Sequence, residues 1–224
     1  MAVNNELGTI QPVDELLEFG ITVHSDCVQA LGKTALPNAH LRSFSAHKIY
    51  GPKGIGALYA RKGAPLHKIT FGGRHERDRR PGTESVPMAA GFAEACRLPK
   101  SDVGKLRDRL ELSILDRVPD AHVNGAGAPR VSNTTNIRFD GIEGEAMVIA
   151  LDLAGFAVSS GAACSSGAVE PSHVLTAIGL SKEQARSSIR FSLGTSNTEE
   201  QVDALVEAVV RSAARLRKLS PQYA

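Results

Sequence analysis

With 224 residues, 42% of them apolar, the chain has enough core-forming material for one large domain or two small ones. Its 26 basic and 24 acidic residues nearly cancel, which excludes the charge excess of a nucleic-acid or membrane-surface binder. Cys27, Cys96 and Cys164 are too far apart and too few for a disulfide framework or a CxxC metal pair, and no leader or membrane-length apolar run is present, so the sequence predicts a soluble, cytoplasmic protein without a bound metal.

Taken in chain order, Pro12 to Phe19 reads as a short helix with Leu16 and Leu17 on its apolar face. Ile21 to His24 is a β-branched strand candidate, followed by a turn of helix over Asp26 to Leu31. Leu41 to Ser45 and Gly54 to Tyr59 read as short strands separated by the Gly51-Pro52 turn. This alternation points to a layered sheet with helices on its faces. Thr70 to Thr83, rich in Gly and Arg, reads as a functional or inter-subunit loop, and Ser85 to Leu98 as a helix. A division between residues 1–98 and 99–224 is expected at Pro99-Lys100-Ser101. Beyond it, Val103, Leu106, Leu110 and Ile114 share a helical face, and Thr135 to Phe139 is a strand. Glu143 to Leu151 is an amphipathic helix and Ser187 to Leu193 a strand. The last helix opens on Thr198-Glu199-Glu200-Gln201, a capping-box pattern, with Val202, Leu205, Val206 and Val209 on one stripe.

Four groupings carry chemistry. Lys48, in Ser45-Ala46-His47-Lys48-Ile49-Tyr50-Gly51-Pro52-Lys53-Gly54, follows an apolar segment and precedes a turn; an amine so placed can form an imine with a carbonyl cofactor while Ser45 and His47 bind phosphate. Asp26, in His24-Ser25-Asp26-Cys27-Val28-Gln29, lies at a strand's end, where it either caps a helix or pairs with a pyridine nitrogen; Gln29 lies one turn on. Cys164, flanked by Ser, Gly and Ala on both sides, is either a mobile reactive thiol or a small buried hydrophobe. Arg190, inside the apolar strand Ser188-Ile189-Arg190-Phe191-Ser192, is either solvated or turned inward to clamp a carboxylate.

Together with Asn4-Asn5-Glu6-Leu7-Gly8, the Gly82-Thr83 step and Glu170-Pro171-Ser172-His173, these motifs run in one order along essentially the whole chain. In that order they resemble the pyridoxal-phosphate-dependent cysteine desulfurases of the iron–sulfur assembly type, within the class-V aminotransferase superfamily. The resemblance implies an α/β protein of pyridoxal-phosphate fold type I (aspartate-aminotransferase-like), here with an incomplete large-domain sheet and a C-terminal α+β small domain. It implies that Lys48 holds pyridoxal 5'-phosphate as an imine and moves the substrate's α-proton. Asp26 would pair with the ring nitrogen and Gln29 with the ring oxygen. Asn5 would lie near that oxygen and the substrate carboxylate. Ser45 and His47 would bind phosphate, with Thr83 reaching the phosphate of the other subunit in a homodimer. Arg190 would clamp the carboxylate of L-cysteine, and Cys164 would take the sulfur as a persulfide, releasing alanine. A scaffold or other acceptor protein would then receive the sulfur.

Relatives carry a further stretch before Asn4-Asn5-Glu6, with a Gly/Thr phosphate loop, a ring-stacking histidine and several strands; its loss is expected to weaken cofactor binding and to expose a sheet edge. Arg74 and Asp78 stand where many relatives have glycine. Three roles remain open on sequence grounds: an active desulfurase, a truncated and catalytically incompetent interaction chain, and a lyase acting on selenocysteine.

Overall fold

The structure, a computed structural model, describes residues 1–98, 102–160 and 170–219. It divides into two compact units, Met1–Asn4 with Ile10–Lys100, and Asn5–Thr9 with Ser101–Ala224.

The first unit is built on a three-stranded sheet in the order β1 (His24–Asp26), β2 (Leu41–Ser45), β3 (Gly56–Ala60). β1 and β2 are parallel, with Asp26 opposite Ser43, and β3 runs antiparallel to β2. The expected strand at Ile21–His24 is displaced toward the C-terminus. Ladder bonds begin where β2 offers partners, with Leu41 N donating to Val23 O, so β-branched Ile21 is left outside and 59% exposed. Likewise Pro12–Phe19 folds as a 3-10 segment over Val13–Phe19, and it buries Val13 rather than Leu16, which is 46% exposed. Asp26 ends the strand instead of opening a helix, and a turn follows in which Ala30 N and Leu31 N both donate to Cys27 O. Another 3-10 turn, Ala46–Ile49, directly follows β2. The helical turn α1 (His75–Asp78) interrupts the long loop, and α2 (Val86–Arg97) packs Phe92 and Ala95 on Ala46 and Ile49.

The second unit is a four-stranded antiparallel sheet ordered β4 (Ala121–Val123), β5 (Thr134–Phe139), β7 (Ser188–Ser192), β6 (Ser159–Ser160). Alternation places Ile137, Phe139, Ile189 and Phe191 on one face. There they form a single core with Leu110 and Ile114 of α3 (Gly104–Arg117), Met147 and Leu151 of α4 (Gly144–Leu153), and Val202, Val206 and Val209 of α7 (Glu199–Leu219). The capping box at Thr198 forms: its hydroxyl accepts from Gln201 N and its backbone N–H donates to Gln201 Oε1. Two short helices complete the unit, α5 (His173–Ala177) and α6 (Lys182–Arg186).

Candidate functional site

In the first unit the chemistry-bearing residues gather at the C-terminal ends of the two parallel strands, where open α/β sheets bind ligands. Asp26 is the last residue of β1; opposite it stands Ser43, and Ser45, two positions further along β2, lies on the same face of the sheet. Asp26 Oδ1 accepts from Val28 N at 2.8 Å, so the carboxylate does cap the following turn, while its exposed position keeps the second oxygen open. Gln29 takes a 2.6 Å bond from Lys33 Nζ on its Oε1, which leaves its amide N–H groups to donate outward.

β2 delivers the next group directly. Ser45 Oγ lies 2.8 Å from His47 Nδ1 across the start of the 3-10 turn, and Lys48 follows with an exposed amine that has no partner among the described residues. The turn closes on Tyr50, held at φ 71, and Gly51 N donates to Ala46 O at 2.9 Å. A Cβ at residue 51 would stand 2.9 Å from that same carbonyl oxygen, so only glycine lets the chain double back beneath Lys48. Burial pushes the thiol of neighbouring Cys27 up, against a hydrogen bond with Ser25 and the Arg42 charge, which keeps it protonated at neutral pH. Thr83 lies exposed after Gly82, in the loop between α1 and α2.

In the second unit the sheet face away from the helices is polar. Asn124 Nδ2 donates to Asn136 Oδ1 at 2.7 Å and to Ser188 Oγ at 3.0 Å, all of them buried. Asn136 Nδ2 in turn donates to the backbone oxygen of Glu6 at 3.3 Å. Arg190 stands on this face beside Asn136, half-buried, and donates from Nη1 to the backbone oxygen of Asn5 at 2.9 Å, so its guanidinium is turned in rather than pointing outward. Its Nε is buried with no acceptor among the described residues. Cys164 lies outside the described residues.

Sequence reading missed the Asn124–Asn136–Ser188 network because its members are remote in sequence; the alternation of Asn136 between Thr135 and Ile137 was its one local trace. It also missed α6, although Ser181 to Gln184 forms a complete capping box.

The family profile described as aminotransferase class-V matches residues 1–205. The chain is 44% identical over 236 aligned positions to a cysteine desulfurase of Trichormus azollae, covering 99% of this chain and 59% of that protein. A cysteine desulfurase of Cereibacter sphaeroides is 46% identical, with 99% and 60% covered. A solved NifS-like protein superposes with a TM-score of 0.85 at 33% identity, covering 96% of this chain and 60% of its own. This chain thus spans about three fifths of the length of the curated relatives it matches. The fold is that of the NifS-like proteins, pyridoxal-phosphate fold type I. The residues present in the first unit suit that coenzyme: Asp26 offers a carboxylate to a pyridinium, Lys48 an amine unpaired among the described residues to an aldehyde, and Ser45 and His47 polar groups to a phosphate. By profile, relatives and architecture alike, the chain belongs to the pyridoxal-phosphate-dependent class-V aminotransferase family.

Proposed function

We propose that this chain serves a cysteine desulfurase, removing sulfur from L-cysteine to leave L-alanine and a persulfide on Cys164. The supporting observation is the arrangement of Asp26 and Ser45 at the ends of adjacent parallel strands with His47 and Lys48 in the 3-10 turn that follows. Bound pyridoxal 5'-phosphate supplies an electron-withdrawing ring. Asp26 holds a proton on the ring nitrogen, and Gln29 donates to the ring oxygen. Ser45 and His47 fix the phosphate, with Thr83 serving the other subunit of a homodimer. Lys48 Nζ takes the substrate's α-proton and returns it to the α-carbon, the extra methyl proton coming from the thiol of the substrate. Arg190 and Asn5 orient the substrate carboxylate. The Cys164 thiolate attacks the cysteine sulfur: an S–S bond forms, the C–S bond breaks, and the carbon takes a proton to become the methyl of alanine. Cysteine and thiol are consumed, alanine and persulfide formed, and no external oxidant is needed. A cytoplasmic iron–sulfur scaffold or another sulfur acceptor then takes the persulfide.

The test begins with purified chain and pyridoxal 5'-phosphate, reduced by borohydride and digested for mass spectrometry. A pyridoxyl group on Lys48 is expected, absent in Lys48→Ala. With L-cysteine and a thiol reductant, alanine release should vanish in Cys164→Ala. A labelled Lys48 without alanine release would favour the interaction-chain reading, and no label in a folded protein would remove the proposal.

A further inference from the structure

Gln29 and Lys33 lie in the turn that follows β1, where Lys33 Nζ donates to Gln29 Oε1 at 2.6 Å. The backbone brings them together without a helix. Cys27 O accepts from Ala30 N and Leu31 N, and Ala30 O accepts from Lys33 N and Thr34 N, so one turn runs into the next. Cys27 and Ala30 are fully buried and anchor both turns, while Gly32, at φ 73, takes the left-handed conformation that doubles the chain back. Gln29 and Lys33 are both half-buried, and Gln29 Nε2 has no partner among the described residues.

The two ends of a glutamine amide are nearly equal in shape, one accepting and one donating, and rotation about the last side-chain bond exchanges them unless a neighbour selects one. A lysine side chain has donors and no acceptor, so the amide meets it through oxygen. Beside Lys33 the oxygen of Gln29 is therefore taken, and the two N–H groups face the other way. Side-chain pairs at this spacing contribute little to stability even on a helix. What the contact supplies is a choice between two amide orientations.

We infer that Lys33 is a positioning residue: by holding Gln29 Oε1 it makes Gln29 a donor toward the ring oxygen of the coenzyme. The inference rests on the proposed desulfurase function for the role of Gln29. A donor aimed at that oxygen favours its ionised form, and an amide free to turn loses the preference. The first test needs no coenzyme. In NMR spectra of the isotope-labelled full chain, the Gln29 side-chain amide signals are identified by their loss in Gln29→Ala. They should stand apart from those of free glutamine, collapse toward them in Lys33→Met, and keep their place in Lys33→Arg, which retains a donor. The second test uses the chain loaded with pyridoxal 5'-phosphate. The pH midpoint of its visible absorbance should rise by about one unit in Lys33→Met, the scale of one hydrogen bond to a charged oxygen, and return in Lys33→Arg. Adding Lys33→Met to Gln29→Ala should shift it no further. Gln29 signals unmoved by Lys33→Met would overturn the inference. So would an unchanged midpoint with weaker coenzyme binding, which makes Lys33 a direct charge on the phosphate. Failure of Lys33→Met to fold would also overturn it, assigning the contact to stability. Absence of coenzyme absorbance in the wild-type chain would count against the desulfurase, and the amide signals would still decide whether Lys33 orients Gln29.

Discussion

The two units use similar strands to different effect. In the second, every inward position of β5 and β7 meets helices, and the core is continuous from Leu110 to Ala213. In the first, β3 is solvent-facing nearly throughout, Ile69 and Phe71 are 89% and 77% exposed, and α2 buries only Phe92 and Ala95. The groups proposed to hold the coenzyme thus stand on a thinly covered sheet, while Arg190 stands on a well-anchored one. A strand's own pattern does not decide its burial; the elements laid over it do.

Core truncation gives the largest expected effect. Phe139 is fully buried and meets Phe191 edge-on, with centroids 6.4 Å apart at 72°. Phe139→Ala should cost about 3–5 kcal/mol in denaturant unfolding. Phe92→Ala in the first unit should cost less, below about 3 kcal/mol, because its small cluster can close around the gap. Equal losses would dissolve the contrast between the units.

The second unit also holds an enclosed ion pair. Arg130 forks onto both oxygens of Glu111 at 2.9 Å, with the two side chains 10% and 13% exposed. Burial pushes the Glu111 carboxyl up, but hydrogen bonds from Arg130 and Thr135 and the charges of Arg130 and Arg107 outweigh it, leaving the group below its ordinary range. A carboxylate depressed on folding stabilises the native state above its unfolded value, about 4.3, and that stability is lost as pH falls through the lower folded value. Arg130→Met strands the Glu111 charge and should cost about 3 kcal/mol at pH 7, with the deficit shrinking as the solution is acidified below about pH 4. A deficit that stays constant with pH would mean that the arginine acts through packing alone.

Legibility in the sequence followed the range of the interactions. The last helix could be read entirely, because Thr198, Gln201 and the Val202-Leu205-Val206-Val209 stripe make a local pattern that the fold keeps. The 3-10 turn at Ala46–Ile49 is local too, following directly on β2 where Ser45 ends the strand. β1 was misplaced because Ile21-Thr22-Val23 has strand chemistry but lies mostly beyond β2's reach. The inward turn of Arg190 and the burial of Glu6 depend on partners more than 160 positions away, which no local pattern records. Asp78 has a local explanation that only the backbone reveals. Its φ of 62, after 51 at Glu76 and 59 at Arg77, is the left-handed conformation that glycine adopts freely and aspartate tolerates.

The smallest expected effect lies in the Lys48 turn. Tyr50 holds φ 71 and is 59% exposed, so it bears left-handed strain with little burial in return. Tyr50→Gly removes roughly 1–2 kcal/mol of that strain and adds about 0.5–1 kcal/mol of backbone entropy cost. A net gain of up to about 1 kcal/mol is therefore expected in thermal unfolding. The neighbouring position behaves oppositely, because Gly51→Ala drives a Cβ to 2.9 Å from Ala46 O and must open the turn. If the turn exists to aim Lys48, Gly51→Ala should also lower pyridoxyl labelling of that lysine while Tyr50→Gly leaves it intact. Two neutral substitutions would show that the turn holds no strain and that Lys48 is placed by β2 alone.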